Sequence, residues 1–418
     1  MRIDLGKTAF GFLVLGVFFI PPELMALPIP GLGSMARIVL ALCLVFTLMY
    51  MLNTRRIGSD SMGNHSYLFA CVFFYWEAMT LLWSKHLSAS LQVLFSMFQL
   101  NLFFLIIITL IRSKERLNSV LQAYVWGNVI CSVSLFNSLL AGTTFKGRYT
   151  AGLYDPNDMA LTMALAVPMA WELYRMDTRF KWLYLLCIPL FAACIVLSGS
   201  RGGFAVLTCA LIYIAFSFFR SNQVSLRKII GLAAVLLICG YFIASSYIPS
   251  SVWESQWQRI TTLFSEEGRG TLSNRTEIWA KAIEVFKQHS IFGTGLGTFT
   301  FQASRMSIGP HNYYLAILVE QGLIGIAFYT IFYLTILKNL LTRFRKEPDL
   351  YLYLCIFLLF SIGVMTLGWE TRKTPWLIYG LCTAAVLVQD RKASDHARLA
   401  GSTSDSDKHW GSGKNYYA

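Results

Sequence analysis

The sequence predicts an all-α polytopic membrane protein: about twelve transmembrane helices, with one long external loop carrying a short amphipathic helix between the ninth and tenth spans. Three observations predict it. Of 418 residues, 56% are hydrophobic and only 14% charged, more apolar than a soluble chain of this size requires. The apolar residues fall in runs of the length that crosses a bilayer. The positive charges, net +13, recur in short clusters between those runs, where topology signals sit. They do not form the single basic patch of a nucleic-acid-binding protein.

The runs lie at 8–27, 35–52, 66–84, 91–111, 117–139, 158–174, 182–198, 203–219, 229–248, 313–337, 350–368 and 375–389. Prolines 21, 22, 168 and 189 fall inside or beside them, which a bundle accommodates when neighbours satisfy the freed carbonyls. The first run reads as a retained anchor rather than a cleaved signal peptide. Lys and Arg are denser on the side that also holds Arg55, Arg56, Arg112, Arg175, Arg220 and Arg343. The positive-inside rule then places both termini in the cytoplasm and segment 249–312 outside. In that segment Asn274 and Glu277 form a capping box ahead of a helix whose Ile278, Ala282, Ile283 and Phe286 share a face. GTGLGT (293–298) follows as a glycine-rich turn. Residues 1–389 form a single bundle, and 390–418, polar and rich in small residues, read as a disordered cytoplasmic tail. All nine cysteines fall in or beside apolar runs, without metal or disulfide spacing.

Four outside-facing features carry candidate chemistry. GRYTAGLYDPNDMA (147–160) leads into span six; there Pro156 fixes a turn and Asn157 or Asp158 caps the helix. Arg148 is a candidate anion ligand in that stretch and Asp155 a candidate contact to a sugar or an arginine. SGSRGG (198–203) places Arg201 in a tight turn, either as an arginine reaching lipid headgroups or as an anion site in which glycines admit backbone N–H groups. Arg275 begins the loop helix, near the positive end of its dipole. PHNYYL puts His311 at the first turn of span ten, with Asn312 beside it. A helix N-terminus disfavours a cation, so a neutral imidazole able to accept a proton is expected. Glu77 and Glu320 lie within apolar runs, and such carboxylates face a partner or a wet cavity. Gly322 and Gly325 allow close helix contact. No phosphate loop, HExxH motif or outside Asp cluster is present in the sequence.

SRGG, NRTEIWAKAIEVFKQHSIFGTGLGTF, HNYYLAILVEQGLIG and DPNDMA together resemble the bacterial O-antigen ligase and polymerase superfamily, from about residue 147 to 390. The resemblance implies an inverting glycosyltransferase of the cytoplasmic (inner) membrane that uses no metal or other cofactor and acts on its outer face. It implies a glycan on undecaprenyl pyrophosphate as donor. The acceptor is lipid A–core in a ligase and another lipid-linked repeat unit in a polymerase. The family's two arginines and one histidine map onto Arg201, Arg275 and His311. A departing pyrophosphate calls for guanidinium groups. His311 then serves as general base or as a phosphate ligand. The rival readings are a twelve-span transporter, which would show repeat symmetry, and a non-catalytic scaffold in polysaccharide export.

Overall fold

The structure is a computed structural model and describes residues 4–25, 34–54, 64–145, 147–176, 180–221, 254, 275–302, 309 and 311–410. These residues are helical throughout apart from turns, with no strand among them beyond an isolated bridge, Phe145–Arg148. In order the helices are α1 Leu5–Phe19, α2 Met35–Thr54, α3 His65–Met79, α4 Leu87–Leu110, α5 Lys114–Leu140, α6 Pro156–Arg175, α7 Lys181–Ser198, α8 Arg201–Ser221, α9 Arg275–Gln288, α10 Phe299–Gln302, α11 Tyr313–Arg343, α12 Leu350–Gly363 and α13 Lys373–Trp410.

Every predicted apolar run falls on one of these helices except 229–248, which lies outside the described residues. Among the described residues six helices (α2, α4, α5, α7, α8 and α11) are long and apolar enough to cross a bilayer, and α1 and α12 are apolar but shorter. This is the architecture of a multi-pass membrane protein. Many side chains on these spans remain exposed, Leu52, Phe95, Ile212 and Phe219 among them, as lipid-facing surfaces require. The helix α13 runs on past the last apolar run to Trp410. After Pro375 no proline interrupts it, and extending a helix costs far less than starting one. The eight described cysteines are all free.

Local signals set the helix starts. Asn64 caps α3 by accepting from Ser66 N at 2.9 Å, and Ser113 caps α5 by accepting from Arg116 N at 3.4 Å. The cap of α6 is Asp155, not Asn157 or Asp158: its Oδ1 accepts from Asn157 N at 2.9 Å. Pro156 explains the correction. It forces the preceding residue into an extended conformation and is itself suited to the first helical position. The helix α6 is buried along nearly its whole length and packs against α5, α7, α8 and α12. One continuous apolar core joins most of the bundle, and a smaller one joins α9 to the start of α11 through Ile278, Ala282, Val285, Phe299 and Val319. The buried face of α9 therefore includes Val285 in place of the expected Ile283, which is 47% exposed. Asn274 lies outside the described residues.

Successive helices run antiparallel, so the described chain ends gather at two poles. At one pole, Lys114 pairs with Asp349 and Arg343 with Asp390. The other pole collects the C-termini of α1, α3, α5, α7 and α12 with the N-termini of α2, α4, α6, α8, α11 and α13. Contacts there include Lys373 with Glu23, Arg372 with Asp158, and Leu153 N with the Met25 carbonyl. All the predicted site residues on α6, α8, α9 and α11 stand at this second pole.

The helix α11 is not continuous. At Gly322 the backbone adopts φ 70 and ψ −169, far from helical values. The freed groups are taken up by segment 290–295: Leu323 N donates to Ser290 O at 2.8 Å and Ile324 N to Ile291 O at 3.3 Å. In return Thr294 N donates to Val319 O at 3.1 Å and Gly295 N to Glu320 O at 2.9 Å. Trp76 Nε1 satisfies the Gln321 carbonyl at 3.1 Å. The break is thus compensated within the protein, the condition under which irregular backbone persists in an apolar environment. Gly322 acts as a break rather than as the helix-contact glycine expected from its spacing. At Gly325 a Cβ would meet Trp76 Nε1 at 3.0 Å, so that position does admit close approach.

Candidate functional site

The SGSRGG turn is built by its own side chains. Gly199 closes α7 in a left-handed conformation. Ser198 Oγ accepts from Ser200 N at 3.3 Å, and Ser200 Oγ accepts from Gly203 N at 3.2 Å, capping α8. Arg201 is accordingly the first residue of α8. A Cβ on Gly202 would lie 2.9 Å from Thr366 Oγ1, which sets this turn beside the 364–366 segment that follows α12.

Arg148 ties two of the sequence features together. Its Nε donates to the Ser198 carbonyl at 2.7 Å and its Nη2 to Asn157 Oδ1 at 3.1 Å. Asn157 Nδ2 in turn donates to Asp155 Oδ1 at 3.2 Å. Arg275 heads α9, and burial lowers its pKa while the Asp155 carboxylate acts in the opposite sense. Arg148, Asp155, Asn157, Ser198 and Arg275 therefore form one electrostatic neighbourhood around the start of α6.

His311 has φ 48, a left-handed conformation uncommon outside glycine. It precedes the cap rather than lying in the first turn, because Asn312 is the cap of α11: its Oδ1 accepts from Leu315 N at 3.0 Å. The aromatic cluster of Tyr313, Tyr314, Tyr329 and Phe360 anchors the helix start, and Tyr314 O–H donates to the Ser361 carbonyl at 3.1 Å. Arg201 and His311 thus head helices that both border segment 361–366.

Glu320, predicted to face a partner or a wet cavity, holds the glycine-rich turn. Its Oε2 accepts from Gly297 N at 2.8 Å and its Oε1 from Phe299 N at 3.1 Å. Glu77 is fully buried, and its Oε1 accepts from Gln321 Nε2 at 3.3 Å. Asp158 accepts from Trp369 Nε1 at 2.9 Å and from Arg372 Nη2 at 3.3 Å. Among the described residues no three of His, Cys, Asp and Glu converge as a metal site would require.

Sequence reasoning missed the connection between α12 and α13. Its Trp369, Arg372 and Lys373, together with Glu23 and Arg37, line a cavity of about 190 Å³ at this pole, and its Glu370 lines a separate one of about 170 Å³. Burial pushes the Glu370 carboxyl up to about 8, with Glu320 and Asp158 adding to the effect and Arg372 opposing it. The signal was readable: three charges in four residues, 370–373, between two apolar runs on the less positive side.

Residues 185–330 match the family model of the O-antigen ligases. The matched segment supports the resemblance to the O-antigen ligase and polymerase superfamily. It includes Arg201, Arg275, His311 and Glu320, whereas DPNDMA and the α12–α13 connection lie beyond it. No curated protein matches the chain. The match supports a glycan transferase of the ligase or polymerase type, working on lipid-linked glycans in a membrane.

Proposed function

We propose that the protein transfers a glycan from undecaprenyl pyrophosphate to lipid A–core, as an O-antigen ligase does, on the outer face of a bacterial cytoplasmic membrane. Both termini are then cytoplasmic, as the distribution of Lys and Arg requires. The observation that carries the reading is the gathering of arginines at one pole of an apolar bundle, with Arg148 and Arg275 beside the Asp155 carboxylate around the head of α6 and Arg201 at the head of α8.

The acceptor hydroxyl oxygen attacks the anomeric carbon from the face opposite the pyrophosphate. A carbon–oxygen bond forms as the bond to phosphate breaks, and the configuration inverts. The pyrophosphate departs with the bonding electron pair, and Arg201 and Arg275 stabilise its charge through fixed donors. His311 takes the hydroxyl proton, a role that needs its imidazole neutral beforehand. No residue here has to supply a nucleophile, because the donor already carries a good leaving group.

The test is reconstitution in vesicles with an undecaprenyl-pyrophosphate-linked glycan and two acceptors offered separately. Lipid A–core glycosylated once per molecule supports the ligase. Growth of the lipid-linked glycan alone would make the protein a polymerase. No transfer to either acceptor would overturn the proposal.

A further inference from the structure

The cavity of about 190 Å³ lies where α1, α2, α4 and α6 meet the α12–α13 connection. Three cations line it, Arg37, Arg372 and Lys373, against one carboxylate, Glu23. Glu23 Oε1 accepts from both Lys373 Nζ and Ser34 Oγ, and Ser34 Oγ accepts from Arg37 N at 3.3 Å. These bonds join the heads of α2 and α13 and commit Glu23 to Lys373. Arg372 engages Asp158 through Nη2, and Asp158 stands outside the lining. Glu370 also acts on Arg372, but burial keeps that carboxyl largely uncharged near neutral pH. Among the described residues the Arg37 guanidinium has no hydrogen-bond or ion-pair partner. The cluster therefore carries more positive charge than its carboxylates balance. Lys373 registers the crowding: burial lowers its pKa, Glu23 opposes that, and Arg37 and Arg372 add to it.

This charge selects the occupant. A metal cation is repelled. An acyl chain gains little from walls that include Arg37, Ser96, Thr371 and Arg372. A neutral ring leaves the excess charge uncompensated. An anion with several acceptor oxygens answers the guanidinium groups, as a phosphate does. The position says what carries the phosphate. Arg37 is exposed in the first turn of α2, a helix that crosses a bilayer, so it stands at headgroup depth. Val45 and Leu48 follow it on the same face of α2 and are exposed, and Phe95 and Phe98 are exposed on α4 beside Ser96. The two helices pack side by side. A headgroup seated in the cavity would therefore have its chains against an apolar surface.

We infer that this cavity is a second anion site of the pole, separate from Arg201 and Arg275, which holds the phosphate of an anionic membrane lipid whose chains lie along α2 and α4. Basic pockets between membrane helices serve lipid headgroups in this way. The site differs from a single arginine reaching the interface because Glu23 and Ser34 fix the helix ends that carry its cations.

The test is lipid binding to the purified protein in detergent, read by native mass spectrometry. Phosphatidylglycerol, diacylglycerol of the same chains and inorganic phosphate are offered separately. Arg37→Glu reverses the charge at the cavity. Lys85→Glu is the control: Lys85 is an exposed cation just before α4 at the same pole and does not line the cavity. We expect the wild type to retain phosphatidylglycerol and not diacylglycerol. Arg37→Glu should weaken that binding about tenfold or more, the loss of a hydrogen bond to a charged group, and Lys85→Glu should change it less than twofold. Gel filtration and thermal melting establish folding, and if Arg37→Glu is misfolded, Arg37→Gln decides alone. Wild-type phosphatidylglycerol binding in a folded Arg37 variant overturns the site. Equal losses in Arg37→Glu and Lys85→Glu reduce it to net charge and overturn it as well, as does diacylglycerol bound as tightly as phosphatidylglycerol. Inorganic phosphate that binds through Arg37 while phosphatidylglycerol does not would make this a site for a free anion and overturn the lipid. No arm involves glycan transfer, so failure here leaves the proposed function standing.

Discussion

Gly322→Ala should unlatch segment 290–295 from the broken helix. At φ 70 and ψ −169 the residue occupies a region open essentially only to glycine, and forcing another residue there costs on the order of 1–3 kcal/mol. A Cβ would also stand 2.5 Å from Ile291 C and 2.6 Å from Gly293 N. Both are backbone atoms, so no side-chain rotation relieves the contact. The remaining relief is to move segment 290–295 away, and that segment makes the four bonds to 319–324 at 2.8, 2.9, 3.1 and 3.3 Å. At about 1 kcal/mol each, losing two of them with the strain gives roughly 3–5 kcal/mol. At about 1.4 kcal/mol per factor of ten, amide exchange in peptides covering 290–299 and 319–326 should accelerate by about two to three and a half orders of magnitude. Hydrogen exchange of the detergent-solubilised protein, read by mass spectrometry, measures this directly. Gly142→Ala is the control: Gly142 also has positive φ, 65, but nothing lies within 4 Å of its Cβ position. It should cost only the conformational strain, about 1 kcal/mol, and leave 290–299 unchanged. Wild-type protection in Gly322→Ala, or equal loss in both variants, would refute the latch.

Three further outcomes are expected. His311→Ala should lower transfer by about 10²- to 10⁴-fold, the usual worth of a general base, with the protein still in the membrane; wild-type turnover would remove that role. Arg201→Lys and Arg275→Lys should restore only part of the activity lost in the Ala variants, because an ammonium cannot reproduce a bidentate contact; full rescue in both would argue against a pyrophosphate clamp. Glu370 gives a pH dependence. Its folded value of about 8 lies above its ordinary 4.5, so its contribution to stability is full below pH 4.5 and is lost as pH rises through about 8. Melting temperature should therefore fall across that window in the wild type and fall less in Glu370→Gln, and identical profiles would remove Glu370 as the cause.

Much of the bundle was legible because the signal is local. Apolar runs of bilayer-crossing length leave the chain few alternatives, and α4, α7 and α11 lie where the sequence puts them. The SGSRGG turn was also readable, since its serines cap their own neighbours. The break in α11 was not. A Gly-x-x-Gly pair permits both helix contact and helix rupture, and the choice rests on segment 290–295, which lies some 30 residues earlier in the chain. Asp158 misled for a similar reason. Its acidic side chain at a helix start reads as a cap, yet its partners are Trp369 and Arg372, more than 200 residues away. Glu320 was expected to face a partner or a wet cavity, and the partners it has, the backbone amides of Gly297 and Phe299, carry no sequence signature.

Arg148 shows how the geometry separates a ligand from a residue that positions one. The sequence groups it with Arg201 and Arg275 as a third cation for the pyrophosphate. The structure commits two of its donors to protein, the Ser198 carbonyl at the end of α7 and the Asn157 amide at the head of α6. These two contacts fix the turn that carries Arg201 relative to the cap residue that faces Arg275. Arg148→Lys keeps the charge but has one ammonium to serve two acceptors on different helices. If Arg148 positions the turn, turnover should fall at least tenfold and donor KM should change little. Removing a direct phosphate contact would instead be felt mainly in donor KM. A donor KM raised tenfold at unchanged turnover would make Arg148 a ligand and assign the Ser198 and Asn157 bonds a secondary role.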